Sequence, residues 1–132
     1  MPAFDDRARS AAPVEEVWKL LYDPSRFPDW WQGMETVEPR ADDGHGDFTM
    51  YLAGYPDFPM PQELRSDRSG RSVTVSCLVS DLVFDYRLTP LDDGTEIAVH
   101  VELPDREAHR LETQRAIVHG SLAALAALAA TA

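Results

Sequence analysis

Two residues in the second half of the sequence have side chains suited to proton transfer or hydrogen-bond donation. His119 could act as a general acid or base near neutral pH if it faced a bound ligand. Tyr86 lies on the apolar side of a strand pattern, where a buried hydroxyl needs a hydrogen-bond partner. We expect Tyr86 to serve as a donor and His119 as a proton carrier, and helical spacing alone leaves open which way His119 points.

The other reactive residues favour structural roles. Cys77 alternates with Val75 and Val79, which predicts a buried and unreactive thiol. His100 lies opposite the apolar face of its strand, so we expect a solvated histidine. The sequence contains no nucleophile elbow, phosphate-binding loop, dinucleotide fingerprint or Cys-pair metal motif. We therefore expect no cofactor and no bound metal.

The composition is typical of one globular domain, which we expect to span residues 1–132. The 132 residues are 44% apolar and carry 12 basic against 23 acidic side chains, a formal charge of −11. This charge disfavours nucleic acids and anionic membranes as partners, because both are bound through basic patches. No apolar run is long enough to span a membrane, no secretory signal can be read, and a single cysteine excludes an internal disulfide. We therefore expect a cytoplasmic protein without membrane insertion.

The apolar periodicity predicts helices towards both ends of the chain. A short strand over residues 4–11 is followed by a helix over about 13–22. A second, shorter helix starts at Asp23-Pro24, and Pro28 must end it within about a turn. Residues 105–131 contain no proline and repeat apolar residues at helical spacing, which predicts a long, Ala-rich C-terminal helix.

Between these helices the chain has the pattern of an antiparallel meander, because each apolar stretch is followed by a short turn. The turns are predicted at Ala41–Gly46, Asp67–Gly70 and Asp92–Gly94. The strands begin near Met34 and then cover Asp47–Ala53, Gln62–Ser66, Arg71–Val79, Leu82–Leu91 and Thr95–Leu103. Alternation makes one face of the sheet apolar, and the stripe of the long helix must bury against it. The sequence thus predicts an α+β fold with one curved sheet wrapped around one helix.

The groove between sheet and helix is predicted to have an apolar lining. The inward face carries Met50, Leu52, Phe84 and Tyr86. The proline-rich segment Gly54–Pro61 cannot be a central strand, so we expect a stiff loop at the mouth of the groove. Trp30 and Trp31 are adjacent and should point to different sides, one into the core and one towards the mouth.

The order of elements resembles the helix-grip fold of START-type, Bet v 1-like and polyketide cyclase/dehydrase-type proteins. Ala12–Trp18 resembles the start of that superfamily's first helix, Leu21–Trp31 its second helix, and Leu91–Glu96 the turn before its last strand. The resemblance covers nearly the whole chain. It implies a sheet of about six or seven strands, two short helices after the first strand, and a deep cavity that holds hydrophobic small molecules.

The resemblance also implies a functional arginine. In the aromatic polyketide cyclases that this sequence resembles, an arginine near the end of the corresponding strand points into the cavity and can polarise substrate carbonyls. Arg65 stands at the matching place, and an ordinary ion pair with Glu63 is the alternative. Those cyclases carry a tyrosine after the second helix where this sequence has Met34, a departure that counts against catalysis.

The resulting hypothesis is a protein that binds a hydrophobic or ring-containing small molecule between the sheet and the C-terminal helix. The predicted ligand contacts are Trp30, Trp31, Met34, Met50, Leu52 and Phe84. In an enzymatic form, Arg65, Tyr86 and His119 would promote a cofactor-independent cyclisation or dehydration. The alternative is a protein-interaction module of the same fold, co-chaperone-like or antitoxin-like, and a homodimer is compatible with either hypothesis. An open cavity favours ligand binding, and a filled one favours the interaction module.

Overall fold

The computed structural model describes residues 2–40 and 46–131, so the turn predicted at Ala41–Gly46 lies outside the described residues apart from Gly46. In chain order the elements of this part are β1 (Ala3–Ser10), α1 (Val14–Leu21), a first 3₁₀ helix (Pro24–Asp29), β2 (Met34–Pro39), β3 (Phe48–Leu52), β4 (Met60–Asp67), β5 (Ser72–Cys77), β6 (Val83–Leu91), β7 (Gly94–Glu102), a second 3₁₀ helix (Asp105–Arg110) and α2 (Leu111–Ala130).

The strands form one antiparallel sheet in the order β1-β7-β6-β5-β4-β3-β2. Strands β2 to β7 follow one another as the predicted meander, and β1 pairs with β7 at the far edge. Helix α2 packs against β1 and α1. This arrangement confirms the predicted α+β fold, a curved sheet around a long C-terminal helix. No helix in residues 2–40 or 46–131 is both long and apolar enough to cross a membrane.

The two helices after β1 begin where the sequence predicts them. Helix α1 follows Pro13, and Glu15 and Glu16 lie in its first turn, near the positive end of the helix dipole. The next helix is a short 3₁₀ helix, and Pro28 inside it has no N–H to donate to a helical hydrogen bond. The Asp23 side chain accepts from the Ser25 amide at 3.1 Å and so caps its start.

The C-terminal helix predicted over 105–131 is divided in two. Residues 105–110 form the second 3₁₀ helix, which buries none of its side chains, and the α-helix begins at Leu111. The apolar side chains that α2 buries are Val118, Leu122, Leu125, Ala126 and Ala129. The small residues let α2 approach β1, where the Ser10 hydroxyl donates to the Ala126 carbonyl at 2.7 Å.

An aromatic cluster fills the groove beneath the short helices. Its members are Phe27, Trp30, Trp31, Phe48, Phe84 and Tyr86, all of them buried. Trp31 lies at its centre, with ring centroids 5.0 Å from Phe84 and 5.7 Å from Tyr86, both in edge-to-face geometry. Contrary to the prediction, Trp30 and Trp31 do not point to different sides. Their rings stack 5.4 Å apart, because the backbone leaves the 3₁₀ helix at Trp30 in an irregular conformation.

The β6–β7 hairpin meets the end of β1 at a position where only glycine fits. Gly94 has a φ of 152°, and a Cβ atom there would lie 2.0 Å from the carbonyl oxygen of Ser10. The next residue, Thr95, is buried, and its hydroxyl donates to the Ala12 carbonyl at 2.8 Å. The hairpin therefore holds the segment between β1 and α1 in place.

We expect Gly94→Ala to lower the free energy of unfolding by about 2 kcal/mol or more, because a backbone carbonyl cannot move away as a flexible side chain can. Gly54→Ala is the matched control: Gly54 also has a positive φ, but no atom lies within 4 Å of the position that an added Cβ would take. Urea denaturation of both variants measures the difference. Equal losses of stability would contradict the assignment of a steric clash at Gly94.

The outer face of the sheet carries a histidine between two carboxylates. His100 is 43% exposed, as the pattern predicts, with its Nδ1 atom 2.8 Å from Asp5 and its Nε2 atom 3.3 Å from Glu102. The hydrogen bond to Asp5 is the main reason that the pKa of His100 is raised, and Glu102 adds to it. The folded protein therefore binds a proton at His100 more tightly than the unfolded chain does.

This raised pKa predicts a stabilisation that is complete below the unfolded pKa of about 6.5 and is lost as pH rises through the folded value. We expect His100→Gln to lower the free energy of unfolding at pH 5.5 and to have little effect at pH 9. The difference should be roughly 0.2–1 kcal/mol, because the ion pairs are exposed. Urea denaturation at the two pH values measures it, and a pH-independent effect would contradict the role of the imidazolium.

Candidate functional site

A cavity of about 270 Å³ lies between the sheet and the first turns of α2. Its apolar wall includes five of the six predicted ligand contacts, Trp31, Met34, Met50, Leu52 and Phe84. Five further apolar residues line it that the sequence pattern did not assign to it, Ala53, Met60, Cys77, Leu82 and Ile117. The cavity begins where the aromatic cluster ends, since Trp31 and Phe84 belong to both.

The loop that carries Trp31 is fixed to α2 by a close contact. The backbone N–H of Gln32 donates to the Ser121 hydroxyl at 3.0 Å, and that hydroxyl donates to the Ile117 carbonyl at 2.7 Å. Gly120 lies beside this contact: a Cβ atom there would lie 2.5 Å from the end of the Gln32 side chain, which is flexible enough to move aside.

Two buried amides stand in the otherwise apolar wall, and sequence reasoning missed both. Gln62 on β4 is 2% exposed and Gln114 on α2 is 7% exposed. A signal for each was present: Gln62 alternates with Leu64 on the inward face of β4, and Gln114 precedes Val118 by one helical turn. A polar residue at an inward-facing position of such a pattern can therefore be read as part of a cavity wall, and not merely as an interruption of the apolar pattern.

The mouth of the cavity is bordered by the loop before β4, the β5–β6 turn and the start of α2. The loop prediction for Gly54–Pro61 is correct for residues 54–59, and β4 begins at Met60. Tyr55 from this loop, Ser80 from the turn, and Arg110 and Thr113 from the helical segment line the opening. The same two loops carry four exposed apolar side chains, Tyr55, Phe58, Leu78 and Val79.

The prediction that Arg65 points into the cavity is contradicted by its position. Its side chain is 71% exposed and pairs with Glu63 at 3.4 Å on the outer face of β4. The inward face of β4 belongs to Gln62 and Leu64, and alternation then turns Arg65 outwards. The ion pair that stood as the alternative is the observed arrangement.

His119 also lies outside the cavity. Its side chain is 78% exposed, and its Nδ1 atom lies 3.0 Å from the Asp6 carboxylate on β1. On α2 it is an exposed residue that follows the buried Val118, and it comes two residues after Ile117, the last residue of the helix that lines the cavity. His119 therefore cannot transfer a proton to a molecule held in the cavity.

Tyr86 and Trp30 are core residues behind the cavity wall. Tyr86 is fully buried, and its ring packs edge-on against both Trp30 and Trp31. Burial raises the pKa of the Tyr86 phenol, which stays protonated under all ordinary conditions. Trp30 donates its indole N–H to the Leu20 carbonyl at 3.0 Å. Neither residue is part of the cavity lining, which contradicts both the predicted donor role of Tyr86 and the predicted ligand contact of Trp30.

The cavity lining is nearly free of ionisable groups. Among its described residues there is no aspartate, glutamate, histidine or lysine, and the ionisable members are Tyr55, Cys77 and Arg110. Cys77 is buried, as predicted, and Arg110 forms an ion pair with Glu107 at 3.5 Å. No cluster of His, Cys, Asp or Glu able to hold a metal occurs in the part of the chain that the structure describes. The lining can position a neutral molecule, and it lacks a paired acid and base.

Solved structures with the same fold cover almost the entire chain. The Zhui aromatase/cyclase from Streptomyces sp. R1128 superposes with a TM-score of 0.77 at 17% identity, covering 97% of this chain and 93% of the other. A protein from Nitrosospira multiformis superposes with a TM-score of 0.77 at 20% identity, covering 96% and 94%. The di-domain ARO/CYC BexL from the BE-7585A biosynthetic pathway gives a TM-score of 0.76 at 16% identity, covering 96% of this chain and 45% of BexL. At these identities the likeness establishes the fold.

The sequence itself matches one protein family from end to end. Comparison with curated proteins gives no significant match. The model of the family described as "Polyketide cyclase / dehydrase and lipid transport" matches residues 1–132. Together with the helix-grip fold and the cavity under α2, this match means that the chain belongs to the polyketide cyclase/dehydrase and lipid transport family.

Proposed function

We propose that the chain binds an apolar, ring-containing small molecule in the cavity between the sheet and α2. The observation that carries the proposal is the cavity of about 270 Å³, open while the adjoining part of the groove is filled with aromatic rings. A hollow of this kind deprives its lining of dispersion contacts, and an occupant of matching shape restores them. An open cavity also favours ligand binding over the interaction module of the same fold.

The dimensions and walls of the cavity support a compact, flat ligand. At the packing density of protein interiors, ~0.74, a cavity of about 270 Å³ has room for roughly two or three fused rings. Trp31 and Phe84 present aromatic surfaces to this space, and Met34 and Met50 supply flexible thioethers that adapt to different outlines.

The chemistry that these residues support is positioning. Family membership and the aromatase/cyclase neighbours make a polyketide-derived molecule the natural candidate ligand. With Arg65 and His119 on the outside, no acid–base pair faces such a ligand from the described residues. Any acceleration of cyclisation would come from holding a flexible chain in a folded conformation and excluding water.

We expect a calorimetric titration with 2-naphthol to give saturable binding, and its addition to raise the melting temperature. At 100 times the dissociation constant the ligand should stabilise the fold by ~2.7 kcal/mol. Ile117→Trp directs an indole into the cavity from α2 and should weaken binding at least about tenfold, since the ring and the ligand compete for one space.

Ala116→Trp is the matched control, because it adds the same ring at the neighbouring, exposed position of α2. Its affinity should equal that of the unmodified chain. The absence of binding to the unmodified chain, or equal affinities for the Ile117→Trp and Ala116→Trp variants, would refute the proposal that the cavity is the binding site.

A further inference from the structure

Three glutamines line the cavity, Gln32, Gln62 and Gln114, and two of them are buried. Gln62 and Gln114 are both more than nine-tenths buried, one on the sheet side and one on the helix side of the cavity. Burying an amide without a hydrogen bond costs about 1–3 kcal/mol in proteins. No fully buried side-chain N or O atom among the described residues lacks a hydrogen-bond partner, so an amide atom of Gln62 or Gln114 without one is accessible from the cavity.

The existing hydrogen bonds leave part of this capacity free. The Gln62 Nε2 atom donates to the Met60 carbonyl at 3.3 Å, two residues earlier on the same strand. This bond orients the amide, and no described residue donates a hydrogen bond to its Oε1 atom, which stays available as an acceptor. Gln114 makes no side-chain hydrogen bond to any of residues 2–40 or 46–131. On the sheet side Gln62 therefore offers an acceptor, and on the helix side the Gln114 amide offers both a donor and an acceptor.

The charges around the cavity disfavour anions. The chain carries a formal charge of −11, and the nearest cation of the lining, Arg110, is already paired with Glu107. A carboxylate inside the cavity would lose its hydration, and the one cation of the described lining is already paired, while the other polar groups of that lining are neutral. A hydroxyl group loses much less on burial and can donate directly to an amide oxygen.

We propose that Gln62 and Gln114 are the specificity-determining residues of the cavity and select an uncharged hydroxyaromatic ligand. The ring system occupies the apolar walls, a ligand hydroxyl donates to the Gln62 Oε1 atom, and a second hydroxyl or carbonyl group pairs with the Gln114 amide. This inference rests on the proposed function, because it assigns the polarity of a ligand bound in the same cavity.

The test compares three probes of similar size, naphthalene, 2-naphthol and 2-naphthoate, by calorimetric titration at pH 7.5. We expect 2-naphthol to bind about tenfold more tightly than naphthalene, equivalent to about 1.4 kcal/mol. We expect 2-naphthoate to bind more weakly than 2-naphthol by at least the same factor.

The substitutions Gln62→Met and Gln114→Met, made separately, keep side-chain size and remove the amide. At least one should reduce the preference for 2-naphthol over naphthalene about fivefold while naphthalene affinity is kept, which also reports an intact cavity. Glu63→Met is the matched control, because Glu63 neighbours Gln62 on the outer face of β4. It should leave all three affinities unchanged.

The outcomes separate the two proposals. If naphthalene and 2-naphthol bind the unmodified chain equally, or both variants retain its full preference for the hydroxyl, the amides do not select the ligand and only this inference falls. Tighter binding of 2-naphthoate than of 2-naphthol would likewise overturn this inference and leave the proposed function unaffected. If none of the probes binds, the proposed function itself falls.

Discussion

The packing of Trp31 between the sheet and α2 is the contact on which the rest of the structure depends. The Trp31 ring packs against Phe84 on β6. The backbone N–H of the neighbouring Gln32 donates a hydrogen bond to Ser121 on α2. On one side of this ring the groove is filled by the aromatic cluster. On the other side the cavity opens. One side chain thus divides a continuous groove into a core and a binding space.

Charge is segregated across the sheet in a way that follows from desolvation. Most ion pairs of the described residues lie on exposed surfaces, including Glu63 with Arg65 and Asp6 with His119, whereas the partly buried pair of Glu107 and Arg110 lies at the cavity opening. The cavity interior carries neutral polar groups in their place, Gln62 and Gln114. A buried charge would need a partner and several hydrogen bonds to offset its lost hydration, whereas an amide needs far less. The polarity of the cavity is therefore matched to neutral molecules.

The family relationship fixes the architecture more firmly than the chemistry. Structures with 16–20% identity share the fold over nearly the whole chain, so the same architecture forms with mostly different residues. Arg65 illustrates the consequence: it stands where the resemblance implies a cavity arginine, yet it faces solvent. A function inferred for this chain must therefore come from the residues that line its own cavity.

The sequence by itself determined the fold, because strand alternation, proline positions and the Asp-Asp-Gly turn at residues 92–94 act locally. Predicted strand and helix boundaries agree with β3, β6, β7 and α1 to within one or two residues. The sequence did not determine which face of the sheet Arg65 occupies, because β4 has few apolar residues to show which of its positions are buried. The pairing of β4 with β3 and β5 places Gln62 on the inward face. Likewise the rotation of α2 sends His119 outwards and Gln114 inwards. Local periodicity specifies elements, whereas the direction of a polar side chain depends on which neighbour packs against it, and tertiary structure alone decides that.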